Sequence, residues 1–415
     1  MQTKLIQRRQ SIGSGAVIVA ACLFVALAML CFGQWFGWDA TWRSFGVTPL
    51  QPHFFDMHAI TDHVECASKD FNVYDLTPCD PTTKFNYPPV WLWLRYLAID
   101  GSDSAWISVV MTIAAFGAIV TLFKGRSVGD GVLASVAILS PSVMMGVERG
   151  NIDQGVLGLV CCAALIFDGR KPSRVFLTVA LVGLAVVLKL YPLFCVTLAA
   201  RANRRTFIFA GALVFVSFLY FVIILDYLPI IRLNTPITFM LSYGYKVPFL
   251  GLDHLRDEAG LRPIGLTNTW VPIALALITI IFAAAVATTS ARHRRALCVI
   301  ADSAAGTAFL FGAGIYCGSF MLGTNFIYRL MFLLLCLPQL QDWSSVKPTG
   351  NDQTSQMGRV VLAVILLALW LNGNPNGHST FLFVPPILDW LIFFGLTAII
   401  LFNFLKTTMY RAAFG

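Results

Sequence analysis

Long runs of apolar residues, separated by shorter polar segments, recur along the whole chain. A helix of about 20 apolar residues is as long as the hydrocarbon core of a bilayer is thick. The runs lack the alternation of apolar and polar residues that strands of membrane β-barrels show. Charged residues make up 12% of the 415, about half the usual share of a soluble domain. The sequence therefore predicts an all-α, polytopic integral membrane protein and excludes a soluble enzyme with a single anchor.

We assign about 11–13 transmembrane helices to these runs, within a single domain that covers residues 1–415. Residues 152–167 and 191–200 are short for a full span, so the count varies by one or two. The apolar runs lie near residues 15–33, 104–123, 131–147, 152–167, 175–190, 191–200, 206–228, 269–289, 297–320, 326–340, 360–371 and 381–405.

The distribution of Lys and Arg predicts the orientation of these helices. Of the 29 basic residues, 18 lie at the amino end or in the short segments that alternation places on the same face. Because basic residues collect in cytoplasmic loops, we expect both chain ends in the cytoplasm. No small-residue cleavage site follows the first run, so we interpret it as an uncleaved helix. A bacterial inner membrane fits best, with any chemistry on the outer face, where the large loops lie.

Two large loops, near residues 35–104 and 229–268, are expected on the outer face. The first contains nine carboxylates, and the second contains His254 within a short charged stretch. Within the first loop, Pro88–Ile99 is apolar but only twelve residues long, which is below spanning length. Its Trp and Tyr side chains are typical of a helix that lies along the membrane surface. The first loop is therefore expected to carry interfacial helices.

Asp56 differs from the other carboxylates of this loop because it stands in an aromatic-rich stretch, His53–His58. Apolar neighbours raise the pKa of a carboxyl group and favour a general base close to neutrality. A loop aspartate is more often solvated or a helix cap, and that interpretation suffices for the other eight. Asp56 is therefore the candidate base.

Three cations lie at or near the outer ends of apolar runs. Arg149 belongs to a turn between two runs, Lys189 lies at the end of one, and Arg329 follows only a few apolar residues. Anchoring at the membrane interface, with the lysine stem snorkelling along the helix, is a competing interpretation for Arg149 and Lys189. An ionisable residue inside an apolar helix, such as Arg329, is by default a candidate functional residue.

Asp302 and Asp389 lie inside apolar runs, where the proton relays of transporters are also found. Asp302 is less than two turns from the basic turn 292–295, which favours an ion pair with that turn. Asp389 has no evident partner in the sequence.

Cys66 and Cys79 both lie in the first outer loop, and the sequence leaves them either disulfide-bonded or free. No cysteine spacing resembles a metal site, and no P-loop, Rossmann glycine fingerprint or H-E-x-x-H motif is present. We therefore predict no metal site and no cofactor. The excess of basic residues follows from topology, so no nucleic-acid partner is expected.

The order of several short motifs resembles glycosyltransferase family 87 of the GT-C superfamily, most clearly over residues 50–200. The motifs are Phe54-Phe55-Asp56, Asp70-Phe71-Asn72-Val73-Tyr74, Phe85-Asn86-Tyr87-Pro88-Pro89, Glu148-Arg149-Gly150-Asn151-Ile152-Asp153 and Leu188-Lys189-Leu190-Tyr191-Pro192. Further along, the resemblance rests on the hydropathy pattern and on residues 323–329 (GTNFIYR). The family's G-D-x-Y loop pattern appears without its glycine and with altered spacing, which indicates a divergent branch.

The resemblance implies a GT-C-like fold and transfer of a sugar, often mannose, from a polyprenyl phosphate to a lipid or glycan acceptor outside the membrane. It implies Asp56 as the presumed base. We expect Lys189 and Arg329 to bind the donor phosphate, and Arg149 is a further candidate for this role. The other residues expected at the cavity are His58, Tyr87, Asn151, Asp153, Tyr191 and His254.

Such a transfer needs a base for the acceptor hydroxyl and cations for the leaving phosphate. A single displacement predicts inversion at the anomeric carbon. The expected partners are a polyprenyl-phosphate sugar, its acceptor and membrane lipids. The alternative is a multi-pass transporter or lipid flippase of the cell envelope that uses Asp302 and Asp389, although no internal repeat typical of transporters is evident. A scaffold for envelope assembly is a third interpretation.

Overall fold

The structure is a computed structural model that describes residues 13–78, 81, 83–292, 298–346, 354–372 and 383–414. It is 76% helical with about 1% strand, which confirms the all-α class. The α-helices are Gly13–Phe36, Trp38–Ser44, Phe55–Ser68, Ser104–Leu122, Val128–Ile138, Pro141–Arg149, Asp153–Ile166, Pro172–Leu188, Arg204–Ile223, Leu228–Asn234, Val247–Glu258, Val271–Arg292, Ala304–Met321, Leu337–Ser344, Thr354–Leu371 and Val384–Phe414. The 3-10 segments are Pro89–Leu97, Gly101–Asp103, Tyr191–Arg201, Leu225–Tyr227, Leu266–Asn268 and Ile327–Cys336.

Within the described part of the chain, seven helices are long and apolar enough to cross a membrane. They are Gly13–Phe36, Gly101–Leu122, Arg204–Ile223, Val271–Ala291, Ala304–Met321, Thr354–Leu371 and Val384–Thr408. An eighth is added if Val128–Ile138 and Pro141–Arg149, which are bent by 57° at the break between them, form one broken span. The fold is thus that of an all-α polytopic membrane protein, with fewer full-length spans than the 11–13 that hydropathy indicates.

The difference lies in apolar runs that form shorter segments. The helices Asp153–Ile166 and Pro172–Leu188 have 14 and 17 residues, and a helix rises only about 1.5 Å per residue. The runs near 191–200 and 326–340 instead form the 3-10 segments Tyr191–Arg201 and Ile327–Cys336. Every residue of the latter except Arg329 is buried by protein. Hydropathy reports removal from water and does not distinguish burial in lipid from burial in protein.

The break in the run near 131–147 positions two residues of the site. Pro141 stands in the first turn of the second helix, where its missing N–H removes no intrahelical bond. That helix ends at Gly150, which adopts φ of 57°, a left-handed conformation that glycine adopts without strain. The chain then turns directly into Asn151 and the helix that starts at Asp153.

The helix Ala304–Met321 lies at the centre of the bundle, with 78% of its 18 residues buried. Glycines let neighbouring segments approach it closely. A Cβ on Gly314 would lie 2.4 Å from the Phe194 carbonyl oxygen, and one on Gly312 would lie 2.5 Å from that of Phe332. Small residues serve the same purpose in other membrane helix contacts. The two 3-10 segments thereby pack directly on the central helix.

The first outer loop has a small hydrophobic cluster of its own. The helix Phe55–Ser68 packs its buried face, which includes Met57 and Ile60, against Tyr87 and Trp91. The Trp91 indole N–H donates to the Leu188 carbonyl oxygen at 3.1 Å, which ties the loop to the end of a bundle helix. The expected interfacial helix is the 3-10 segment Pro89–Leu97.

That segment has one buried and one exposed side. Trp91 is buried, whereas Trp93 and Tyr96 are 70% and 73% exposed. Aromatic side chains in this arrangement suit the boundary between headgroups and acyl chains.

A two-stranded antiparallel sheet joins the second outer loop to the segment before Arg329. Strand β1 is Ser242–Tyr243 and strand β2 is Asn325–Phe326, with Tyr243 opposite Asn325. The pairing fixes the entry of the chain into Ile327–Cys336 and thereby the position of the Arg329 side chain.

Candidate functional site

A cavity of about 1090 Å³ lies where both large loops meet the ends of the bundle helices. Among the residues that the structure describes, one carboxylate, Asp56, and six cations line this cavity. The cations are Lys84, Arg149, Lys189, Arg232, Lys246 and Arg329. A concave site with this charge balance is suited to binding an anion.

Asp56 stands in the first turn of the helix Phe55–Ser68. The preceding residue, Phe54, adopts φ of 60°, and its N–H donates to the Glu148 carbonyl oxygen at 3.2 Å. That bond anchors the start of the helix to the end of Pro141–Arg149. The Asn151 side-chain amide donates a hydrogen bond to the Asp56 carboxylate.

Burial raises the pKa of Asp56, and Arg149, the hydrogen bond from Asn151 and Lys189 only partly oppose that increase. A carboxylate with a raised pKa is a stronger base than an exposed aspartate. Asp56 therefore combines a place in the cavity lining with a raised proton affinity.

Asp153 lies beneath the cavity floor, fully buried, and joins two of the cations. Its Oδ1 atom lies 3.3 Å from Lys189 Nζ, and its Oδ2 atom accepts a hydrogen bond from Arg329 Nε at 3.2 Å. The Asp153 backbone N–H donates to Asn151 Oδ1 at 2.9 Å. Asn151 thus connects Asp56 to the carboxylate that holds Lys189 and Arg329.

Two aromatic rings support these cations from the side. Lys189 Nζ lies 4.7 Å from the centre of the Tyr87 ring, and the Arg329 guanidinium carbon lies 4.3 Å from that of Tyr191. Both distances are within the range of cation–π attraction. Arg329 also donates to the Asn325 side-chain oxygen in strand β2. The two cations are held in place before any ligand binds.

Arg149 reaches the cavity from the other side. Its Nε atom lies 3.3 Å from Glu148 Oε2, and both side chains are almost fully buried. Glu148 Oε1 accepts a hydrogen bond from the Leu50 backbone N–H at 2.9 Å. Glu148 thus holds Arg149 and the start of the first outer loop together.

The structure brings together most of the expected site residues but leaves two histidines aside. His58 Nδ1 lies 3.7 Å from Asp62, and His254 Nε2 lies 3.3 Å from Glu258; neither histidine lines the cavity. Cys66 is disulfide-bonded. Cys79, its expected partner, lies outside the described residues.

The two carboxylates of apolar runs occupy different surroundings. Asp302 is 83% exposed and pairs with Arg201 at 3.2 Å. The turn 292–295, which was expected to pair with it, lies outside the described residues apart from the Arg292 backbone. Asp389 is buried, and the Asn372 side chain, a partner that the sequence does not reveal, donates to its Oδ1 atom at 3.4 Å.

Sequence reasoning missed several lining residues, among them Tyr328 and Lys246. Lys246 follows strand β1, and Tyr328 precedes Arg329 in the GTNFIYR stretch. Because this stretch belongs to the family resemblance, it could have indicated Tyr328. No sequence signal indicates Lys246. Its place at the cavity follows from the pairing of β1 with β2, and strands of two residues are too short to show an alternating pattern.

Among the described residues, no group of three His, Cys, Asp or Glu side chains comes together as potential metal ligands. The cationic groups of the cavity are its means of holding a charged ligand. Comparison with known proteins adds no relative, since no family model, curated protein or solved structure matches the chain.

Proposed function

We propose that the protein is a membrane glycosyltransferase that moves a sugar from a polyprenyl-phosphate donor to an acceptor hydroxyl. The observation that carries the proposal is the convergence of one partly buried carboxylate and three anchored cations on a single cavity. The motif order that resembles glycosyltransferase family 87 supports the same activity, with mannose as the expected sugar. The outer face of a bacterial inner membrane is the proposed location.

The roles follow from charge and position. Asp56 accepts the proton of the acceptor hydroxyl as its oxygen attacks the anomeric carbon. The bond between that carbon and the phosphate oxygen breaks, and polyprenyl phosphate leaves with the negative charge. Lys189 and Arg329 stabilise this charge from fixed positions, so no reorganisation is needed in the transition state. Attack opposite the leaving phosphate inverts the anomeric carbon.

The neighbouring residues position these groups. Asn151 orients Asp56 through its side-chain amide. The Asp153 carboxylate holds Lys189 and Arg329 at 3.3 and 3.2 Å from its two oxygens. Arg149 lies close enough to lower the pKa of Asp56 and is placed to bind a second phosphate oxygen or the acceptor.

The rim of the cavity suits the hydrocarbon part of such a donor. Leu233, Ile237 and Leu322 line the cavity and are 84%, 68% and 62% exposed. Exposed apolar side chains next to a cationic floor match an amphiphile with a phosphate head and an isoprenoid chain. A water-soluble nucleotide sugar would leave these side chains without a function.

The test is transfer by the purified protein in lipid vesicles, with a panel of polyprenyl-phosphate sugars and cell-envelope acceptors. We expect a glycosylated product of inverted anomeric configuration with at least one donor. The alternative of a flippase predicts movement of the lipid-linked sugar between leaflets without any product. A retained configuration in the product would contradict the single displacement.

A further inference from the structure

A second cavity of about 490 Å³ lies at the opposite end of the central helix from the first. The helix Ala304–Met321 runs between them, because Leu322 lines the first cavity and Asp302 lines the second. Its 18 residues rise about 27 Å, close to the thickness of the hydrocarbon core. The two cavities therefore open on opposite faces of the membrane, and the second takes no part in the proposed transfer.

Arg201 and Lys406 give the second cavity a positive lining. The Arg201 side chain is 9% exposed, and its Nη2 atom donates to the carbonyl oxygens of Ala301 and Ser303 at 2.8 and 3.1 Å. These bonds hold the guanidinium rigidly at the cavity wall. Its Nε atom has no hydrogen-bond partner in the described part of the chain, which is costly for a buried donor.

Asp302 is the only carboxylate that lines this cavity among the described residues. It lies 3.2 Å from Arg201 but is 83% exposed, so water screens its hold on the arginine. Lys406, at the end of the helix Val384–Phe414, has no carboxylate partner within the described residues; its Nζ atom lies 5.9 Å from the Phe402 ring. The lining thus offers two cations against one weakly held anion.

The apolar side of the cavity continues toward lipid. Val299 lines it and is 45% exposed. Cationic pockets between membrane helices at the level of the headgroups are suited to anionic lipids.

We propose that this cavity binds the phosphate headgroup of an anionic phospholipid in the leaflet opposite the first cavity. The phosphate makes charge contacts with the Arg201 guanidinium and with Lys406, and it competes with Asp302 for the guanidinium. The acyl chains leave past Val299 into the bilayer. This inference does not depend on glycosyl transfer, because it concerns the other face of the protein.

The test titrates short-chain phosphatidylglycerol into the purified full chain in neutral detergent, with bound lipid counted by native mass spectrometry. Phosphatidylcholine and inorganic phosphate form separate arms. One basic residue near a headgroup contributes a factor of about five in affinity. We expect Lys406→Ala to weaken phosphatidylglycerol binding about fivefold, with little binding of phosphatidylcholine.

Two further variants make the assignment specific. Lys171→Ala removes a cation from an exposed turn at the same end of the bundle and serves as the matched control, with no expected change. Asp302→Asn removes the competing carboxylate and should tighten binding by a similar factor.

Equal losses for Lys406→Ala and Lys171→Ala, or equal binding of both lipids, would overturn the proposal. Weaker binding by Asp302→Asn would also overturn it. If inorganic phosphate binds as tightly as phosphatidylglycerol, the cavity is a site for free phosphate and the lipid assignment fails.

Discussion

Replacing Asp153 by Asn removes the charge that holds Lys189 and Arg329 beneath the cavity. Asp153 is fully buried, and each cation is only 14% exposed, so water cannot take over the role of the carboxylate. Breaking a buried ion pair by removing one partner costs about 3–5 kcal/mol. Here two cations lose the same partner, which places the expected loss of unfolding free energy at the upper end of that range.

The measurement is unfolding of the purified protein in mixed micelles, followed by tryptophan fluorescence. The control variant is Asp168→Asn, which breaks the pair of Asp168 with Arg174 at 3.9 Å. Both of those side chains are partly exposed, and such surface pairs contribute about 0.2–1 kcal/mol. We therefore expect a large shift of the midpoint for Asp153→Asn and a small one for Asp168→Asn.

The double variant Asp153→Asn with Lys189→Met separates pairing from general damage. Removing one of the two stranded cations should recover part of the loss, so the double variant should be more stable than the sum of single effects predicts. Coupling between contacting charges amounts to about 0.5–3 kcal/mol. Additive losses, or equal losses for Asp153→Asn and Asp168→Asn, would refute the assignment of Asp153 as the anchor of both cations.

A base acts when it is deprotonated, and burial raises the pKa of Asp56. As the pH decreases, transfer activity should therefore be lost at a pH above the usual pKa of an exposed aspartate. A pH profile of the transfer rate measures this. Gly150→Ala should lower the free energy of unfolding by about 1–2 kcal/mol for the left-handed backbone, and further for a clash, since a Cβ there would lie 2.2 Å from Ser108 Oγ. Gly125 also has a positive φ, but a Cβ there would meet open space. In unfolding measurements, Gly125→Ala should therefore show only the backbone cost. Lys189→Met should weaken donor binding by at least tenfold in a titration with donor, as expected for a buried charge-assisted contact, and an unchanged affinity would remove its role.

The structure places Asp56, Lys189 and Arg329 at one cavity, whereas its described part has fewer full-length spans than hydropathy indicates. Asp56, Lys189 and Arg329 could be singled out because charge is scarce in this chain, and an ion near an apolar run needs a partner or a function. Their shared partner, Asp153, could only be placed near the cavity by resemblance. Its distance to Lys189 and Arg329 depends on packing between segments far apart in the chain.

One segment that hydropathy misassigned is buried by protein. Ile327–Cys336 is as apolar as a membrane helix, yet it lies against Ala304–Met321 in a 3-10 conformation. His58 and His254 were expected at the cavity from loop position alone. Each histidine lies on a helix, four residues before a carboxylate, and pairs with it: His58 with Asp62 and His254 with Glu258. The helical spacing therefore directs both side chains to these carboxylates and away from the cavity.

The proposed transfer in the first cavity depends on Asp56 as the base. The direct measurement is the rate of a single turnover with donor already bound, for the unaltered protein, Asp56→Asn and Glu65→Gln. Glu65 lies on the same helix but pairs with Lys69 at the surface, which makes it the matched control. General base catalysis contributes about 10²–10⁴-fold, so Asp56→Asn should lose at least a hundredfold in rate while it still binds donor. A rate for Asp56→Asn close to that of Glu65→Gln would show that Asp56 is not the base.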